Sequence, residues 1–166
     1  FFKQKTAYEI GVRLVGSVGC PMTISPGLDR VWGYEPSVEA MQSLLELFAY
    51  DASRVGPDLA QLRYEASIRP GVQEAFAAMF PAPRQQALDS VSHPIADIQS
   101  ISQPTLIVHG REDRVIPMAS SLALFSLIPR SELHVFGECG HWTQIEHRDA
   151  FADLLRGFLA RPMGQE

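Results

Sequence analysis

Thr105-Leu106-Ile107-Val108-His109-Gly110 is a largely apolar run that ends at a glycine, and it is the strongest indication of the fold. A short run of this kind, without polar alternation, is typical of a strand buried on both faces of a parallel sheet. A helix predicted at Leu122–Ile128 and a second short strand, Leu133–Phe136, follow it. The order of strand, helix and strand predicts a parallel unit and therefore an α/β architecture.

The part of the chain before residue 101 predicts mainly helices, after one short strand. A β-branched run, Val12–Val18, predicts one more buried strand, so residues 11–19 form a core strand. Residues 20–100 then predict a helical insertion, and residues 101–166 return to the core. We predict a loop with one short helical turn over Cys20–Gly33, followed by helices that begin at Pro36-Ser37, Gly56-Pro57, Val72 and Arg84.

Two helices carry apolar positions that predict their buried faces. In the helix that begins at Gly56-Pro57, these positions are Leu59, Leu62 and Ala66. The last helix has a longer stripe with i, i+3, i+4, i+7 and i+8 spacing, made of Phe151, Leu154, Leu155, Phe158 and Leu159.

Composition limits the class of protein. The chain has 166 residues, of which 46% are hydrophobic and 20% charged, with a formal net charge of −5. An acidic balance argues against nucleic-acid binding, which needs a basic face. No apolar run reaches the length of about 18 residues that a membrane span needs. Without a secretory signal we expect a cytoplasmic protein, with Cys20 and Cys139 as reduced, buried thiols rather than a disulfide or zinc site.

Two candidate catalytic side chains follow the two strands of the carboxyl-terminal part. Asp113 lies just past the first strand, and His141 lies between glycine-rich turns just past the second. Active sites of open parallel sheets lie at the carboxyl ends of strands. Each residue alone has an ordinary explanation, as a turn aspartate or a surface histidine. Together they predict the acid and the base of a nucleophilic triad, in which the carboxylate orients an imidazole that activates the nucleophile.

The sequence around these residues resembles a known family, the meta-cleavage-product hydrolases of the α/β-hydrolase fold. These enzymes split carbon–carbon bonds in ring-fission products of aromatic degradation. The similarity extends over about 13–159 and is densest at Val31–Ser37, Phe48–Asp51, Leu62–Ser67 and Leu133–His147. The run Cys139–His147 is the most specific, and it is similar to the 2-hydroxymuconic semialdehyde hydrolase branch. The implied fold is the carboxyl-terminal half of an α/β-hydrolase, with parallel strands and a helical lid insertion.

The resemblance also implies roles. Asp113 would be the triad acid, His141 the base, and Trp142 a wall of the site. Arg63 matches the lid arginine that holds the substrate's carboxylate and dienol end, which suits a planar guanidinium; otherwise it would be read as a solvated helix residue. The acyl pocket would be lined by Leu28, Val31, Trp32 and Val115, although the spacing of the first three by itself favours ordinary core packing.

The implied reaction is hydrolysis of a vinylogous 1,5-diketone to a carboxylic acid and 2-hydroxypenta-2,4-dienoate. It requires neither a metal nor an organic cofactor. The partner would be a small-molecule substrate, without nucleic acid or membrane, and the intact protein could be a homo-oligomer.

The serine nucleophile of this family has no match in the sequence. The nearest string, Val15-Gly16-Ser17-Val18-Gly19, lacks the first glycine of the G-x-S-x-G elbow, so we expect Ser17 to be structural. The resemblance implies that the oxyanion-hole loop and the first several strands are missing as well, so that strand Val12–Val18 exposes an apolar edge. We therefore expect a fragment that is poorly soluble or molten, and inactive, by itself. Residues 1–10 resemble translated sequencing-adapter read-through, so native sequence would start near Gly11. Two alternatives remain open: an α/β-hydrolase of another class, such as an esterase or dehalogenase, and a hydrolase-derived binding domain that has lost its nucleophile.

Overall fold

A three-stranded parallel sheet forms the centre of the computed structural model, which describes residues 12–15 and 18–161. Its strands are β1 (Val12–Val15), β2 (Thr105–Gly110) and β3 (Ser131–Phe136), in the order β1-β2-β3. Val12 lies opposite Thr105, and Thr105 lies opposite Ser131. All six residues of β2 are buried. The predicted α/β class and the central buried strand are therefore confirmed.

Helices fill the insertion between β1 and β2 and flank β3. The insertion contains α1 (Pro26–Trp32), α2 (Val38–Phe48), α3 (Pro57–Ser67), α4 (Val72–Met79), α5 (Arg84–Val91) and α6 (Ile95–Gln99), with a 3₁₀ turn at Ala52–Arg54. Helix α7 (Met118–Leu127) joins β2 to β3, and α8 (Thr143–Glu146) and α9 (Arg148–Leu159) follow β3. Within the described ranges, no helix is long and apolar enough to cross a membrane.

Local sequence signals explain where the first two helices begin. The Ser25 hydroxyl accepts the Leu28 N–H at 2.9 Å, and Pro26 occupies the first turn of α1. The Ser37 hydroxyl accepts the Ala40 N–H at 3.0 Å, so Ser37 is the N-cap of α2, as predicted. In both helices a side-chain oxygen satisfies a backbone donor that has no partner inside the helix.

Two apolar clusters sandwich β2. Since successive side chains of a strand point to opposite faces, Ile107 packs with Ile98, Leu124 and Ile128, whereas Leu106 and Val108 lie on the other face. That second cluster also contains Phe136, Cys139 and Phe158. Cys20 and Cys139 are buried free thiols, in agreement with the prediction.

Several boundaries and faces differ from the prediction. Leu62 is 62% exposed, because it lies two positions, about 200° around the helix, from the fully buried Ala60. Leu159 is 48% exposed, since it follows the buried Phe158 directly. Helix α7 begins at Met118 rather than at Leu122. The prediction missed its first turn because Met118-Ala119-Ser120-Ser121 shows no apolar period.

The short elements α6, α8 and the 3₁₀ turn were not predicted, since each is too short to show a period. Strand β1 ends at Val15, and Val18 lies outside it, although the prediction extended to Val18. Ser17 and residues 1–10 lie outside the described residues. The proposed boundaries between core and insertion stay predictions.

Candidate active site

Asp113 is held in a buried loop just after the central strand. Its side chain is 2% exposed, and its Oδ1 accepts the N–H groups of Val115 at 2.7 Å and Ile116 at 3.0 Å. Burial by itself would raise the pKa of this carboxyl. The hydrogen bond and charge of His141, with the two N–H groups, outweigh burial and hold the pKa below its ordinary value. Asp113 is therefore a carboxylate at neutral pH.

His141 lies against this carboxylate, as the sequence predicts. Its Nδ1 is 2.9 Å from Oδ2 of Asp113, and its side chain is 25% exposed. The imidazole also stacks on the ring of Phe48, with 5.6 Å between centroids. Since Nδ1 donates to the carboxylate, Nε2 is the nitrogen that can accept a proton from another group. This is the geometry that an acid and a base of a nucleophilic triad require.

The two loops meet through close backbone contacts that only glycine permits. The Asp113 loop (residues 111–117) follows β2, and the His141 loop (residues 137–142) follows β3. A Cβ on Gly110 would lie 2.0 Å from the Gly140 carbonyl oxygen. The Glu112 N–H donates to the Cys139 carbonyl at 3.0 Å. Parallel pairing of β2 and β3 thus brings Asp113 and His141 together across 28 residues of sequence.

A second histidine near Asp113 was not predicted. His109 is 1% exposed, and its Nε2 lies 3.0 Å from the Ile116 carbonyl oxygen and 3.7 Å from Oδ2 of Asp113. A carbonyl only accepts, so Nε2 carries the proton and Nδ1 accepts from the Ser121 hydroxyl at 2.7 Å. Burial lowers the pKa of His109 and outweighs the opposing effect of Asp113. The feature of the sequence that could have pointed to His109 is its position as a histidine in a largely apolar strand.

A cavity of about 450 Å³ lies among helices α1 to α4 and reaches Trp142. Its lining is mostly apolar, and Arg63 is its one charged residue among those described. Tyr34, Ser67 and Gln73 add polar groups. Phe48 borders both the cavity and His141, since its ring lines the cavity and also stacks on the imidazole. The cavity thus combines an apolar body with one cation, beside the histidine.

The other predicted pocket residues fall into two groups. Val31, Arg63 and Trp142 line the cavity. By contrast, Leu28, Trp32 and Val115 lie in a packed cluster with Ala87, Leu88 and Ile116, and the Trp32 ring stacks on Phe80 at 4.3 Å. The structure does not bring these three to the cavity, because their side chains fill the space between α1, α5 and the Asp113 loop. Their contact with a substrate stays a prediction.

No group of three or more His, Cys, Asp or Glu side chains in residues 12–15 and 18–161 is arranged to hold a metal ion. Cys139 lies close to the candidate pair but is a poor nucleophile. Burial and the charges of Glu146, Glu112 and Asp113 raise the pKa of its thiol to about 12. The thiol therefore stays protonated at neutral pH.

The chain is similar to known proteins of the α/β-hydrolase fold. Residues 55–148 match the family model for the α/β-hydrolase fold. The chain is 55% identical over 147 residues to 2-hydroxymuconate semialdehyde hydrolase of Pseudomonas putida, covering 89% of this chain and 52% of that protein. It is 56% identical over 147 residues to 2-hydroxy-6-oxo-2,4-heptadienoate hydrolase of Pseudomonas putida F1, covering 89% and 53% respectively.

A solved structure shows the same arrangement of elements. A variant of the meta-cleavage product hydrolase CumD from Pseudomonas fluorescens IP01, complexed with acetates, superposes with a TM-score of 0.88 at 52% identity. The match covers 90% of this chain and 55% of that one. The chain thus spans about half the length of the relatives it matches, and the resemblance predicted from its motifs is confirmed. This chain belongs to the α/β-hydrolase fold family.

Proposed function

We propose that this chain supplies the acid, the base and the substrate-covering helices of a hydrolase that cleaves a carbon–carbon bond in a meta-ring-fission product. The substrate would be 2-hydroxymuconic semialdehyde or a close relative. One observation carries the proposal. Nδ1 of His141 lies 2.9 Å from Oδ2 of Asp113, and this pair lies beside a largely apolar cavity whose one charged residue, among the described lining residues, is Arg63. The identity to two hydrolases of such products supports it.

In the proposed reaction His141 moves protons and Asp113 stays ionised. The dienol substrate first becomes its keto tautomer, and a nucleophile outside the described residues then attacks the terminal carbonyl. His141 accepts the nucleophile's proton on Nε2, while Asp113 stabilises the imidazolium that forms. The carbon–carbon bond then breaks, and its electron pair passes through the conjugated alkene to the carbonyl oxygen at C2. That oxygen takes the proton from the imidazolium, which gives 2-hydroxypenta-2,4-dienoate. Water completes the hydrolysis and releases the carboxylic acid.

Arg63 and the cavity would position the dienoate end of the substrate. A guanidinium can form two parallel hydrogen bonds to a carboxylate, which suits Arg63 to this role. Trp142 and Phe48 would hold the flat dienoate close to His141, since both rings border the cavity. We propose no metal and no organic cofactor for this mechanism.

We also propose a cytoplasmic enzyme that acts on a small molecule without nucleic acid or membrane and is a homo-oligomer when intact. Within the described residues β1 and β3 are both edges of the sheet. Unpaired edges invite association with other chains. We therefore expect the 166-residue chain alone to be poorly folded and without turnover.

A joined protein tests the function. It places residues 12–166 behind the amino-terminal segment of the Pseudomonas putida 2-hydroxymuconate semialdehyde hydrolase that precedes the matched region. We expect turnover of 2-hydroxymuconic semialdehyde, a loss in kcat on the order of 10⁴-fold for Asp113→Asn, and an increase in KM of about tenfold or more for Arg63→Gln. The matched control is Arg69→Gln, an exposed arginine that does not line the cavity.

The outcomes separate the alternatives. Turnover of a p-nitrophenyl ester but not of the ring-fission product would favour an ester hydrolase. Equal KM values for the Arg63→Gln and Arg69→Gln variants would refute the role of Arg63. A joined protein that folds but hydrolyses neither substrate would favour a binding domain.

A further inference from the structure

The backbone of the His141 loop is held at successive residues by acceptors from three different parts of the chain. The Cys139 N–H donates to Oε2 of Glu112 at 3.1 Å, and the Gly140 N–H donates to Oε1 of Glu146 at 2.8 Å. The His141 N–H donates to the Phe48 carbonyl at 2.7 Å. The three consecutive N–H groups of residues 139–141 therefore each have an acceptor within the protein, which restrains this part of the loop.

Each acceptor comes from an element with its own relation to the site. Glu112 immediately precedes Asp113 in the chain. Phe48 is the last residue of α2, which lines the cavity. Glu146 is the last residue of α8, and its second oxygen, Oε2, accepts the Tyr50 N–H at 2.6 Å. The two oxygens of Glu146 therefore join the His141 loop to the segment that follows α2.

The loop needs such support because its path is strained. Glu138, which opens this stretch, has a φ of 53°, in the left-handed region. For a residue with a side chain this conformation is strained, because the Cβ atom comes too close to the following carbonyl oxygen. Hydrogen bonds to a carboxylate are stronger than those to a neutral oxygen, so two glutamates are well suited to offset the cost. In agreement, the Cys139 N–H is the main cause that lowers the pKa of Glu112.

We propose that Glu112 and Glu146 are positioning residues for His141. Through the backbone of Cys139 and Gly140, they fix the imidazole at the distance from Asp113 that proton transfer requires. Glu146 also couples that position to the helices over the cavity, through Tyr50. This inference rests on the proposed role of His141 as the base.

Isosteric variants test it. In Glu146→Gln one of the two oxygens becomes an NH₂ group that cannot accept, so either Gly140 or Tyr50 loses its acceptor. Glu112→Gln replaces the carboxylate that holds Cys139 by a neutral amide. The matched control is Glu35→Gln, an exposed glutamate outside this cluster. Amide hydrogen exchange is measured by NMR in the joined protein.

In Glu146→Gln we expect the amide of Gly140 or that of Tyr50 to exchange at least tenfold faster than in the wild type. In Glu112→Gln we expect the same increase for the amide of Cys139. In the joined protein kcat should fall at least tenfold while KM stays within twofold. The pH at half-maximal kcat/KM should also shift, because His141 no longer sits at its native distance from Asp113. The control should change none of these values. Glu146→Ala, with neither oxygen, should lose more activity than Glu146→Gln.

Three outcomes would overturn the inference. In one, these amides exchange at wild-type rates in the glutamine variants. In another, they exchange faster but kcat and the pH profile do not change. In the third, the wild-type amides of residues 139–141 exchange in the joined protein as fast as in an unfolded chain. If the Ile107 amide of β2 also exchanges faster in Glu146→Gln, that variant has lost its fold and Glu112→Gln decides.

The rates are measured with both the ring-fission product and a p-nitrophenyl ester. Wild-type turnover of the ester alone would refute the proposed substrate class. The positioning of His141 would still be tested by the variants on the ester, because both reactions use the same base.

Discussion

Replacing Gly140 with alanine tests whether the His141 loop is packed against the carboxyl-terminal end of α2. A Cβ at this position would lie 2.4 Å from the Phe48 carbonyl oxygen and 2.8 Å from the Tyr50 nitrogen. Both neighbours are backbone atoms, so no side chain can rotate away. To reach an ordinary contact of 3.4 Å, the loop and α2 must separate by about 1 Å.

The magnitude follows from two effects. Overpacking of this size costs about 1–3 kcal/mol. Separation by about 1 Å also breaks the bond from the His141 N–H to the Phe48 carbonyl, now 2.7 Å long, at a cost of about 0.5–1.5 kcal/mol. We therefore expect Gly140→Ala to lower the free energy of unfolding by about 2–4 kcal/mol. A shift of about 1 Å in His141 should also lower kcat about 100-fold.

Urea unfolding and steady-state kinetics of the joined protein measure both effects. The matched control is Gly157→Ala, since Gly157 lies in α9 and a Cβ there would meet nothing within 4 Å. Alanine inside an exposed helix should stabilise by about 0.5–1 kcal/mol. The reasoning is refuted if both variants unfold within about 0.5 kcal/mol of the wild type, or if Gly140→Ala keeps full kcat.

Three further predictions concern pH and the core. Because the pKa of Asp113 is lowered in the fold, its ionisation stabilises the protein above about pH 4. The difference in unfolding free energy between the wild type and Asp113→Asn should therefore narrow as the pH falls below that value. A difference that stays constant with pH would contradict this. The pKa of buried His109 is also lowered, so below about pH 6.5 the unfolded chain binds more protons than the folded chain. The wild type should therefore lose stability in that range more steeply than His109→Gln. The control variant His93→Gln, at an exposed position, should follow the wild type. Leu88→Ala, at a fully buried site, should cost about 2–5 kcal/mol. Leu62→Ala, at a site 62% exposed, should stay within about 0.5 kcal/mol in the same urea titration, and equal losses would refute the core assignment.

Much of the fold could be predicted because its strongest signals are local. The apolar run of β2, the serine N-cap of α2 and the stripe of α9 each depend on residues within one or two turns. Periodicity fails where an element is short or where neighbours decide which face is buried. Leu62 illustrates this, since it fits an apolar stripe but the contact of α3 with α2 turns it to solvent.

The candidate site divides in the same way. Asp113 and His141 could be named because strand ends in a parallel sheet meet at one edge. His109 could not, since its role depends on a carbonyl and a hydroxyl that the fold brings to its two nitrogens. Trp32 and Val115, which are predicted to line the acyl pocket, lie in a packed cluster, and their contact with a substrate stays a prediction.

The α/β class, the order of the main strands and helices, and the residue types at the strand ends follow from the sequence, because they depend on patterns along the chain. Contacts between groups that are far apart in the sequence do not follow from it. Examples are the distance between His141 and Asp113, the hydrogen bonds from the His141 loop to Glu112 and Glu146, and the cavity around Arg63. Hydrogen bonds and packing act over a few ångströms in space, and folding is what sets those distances.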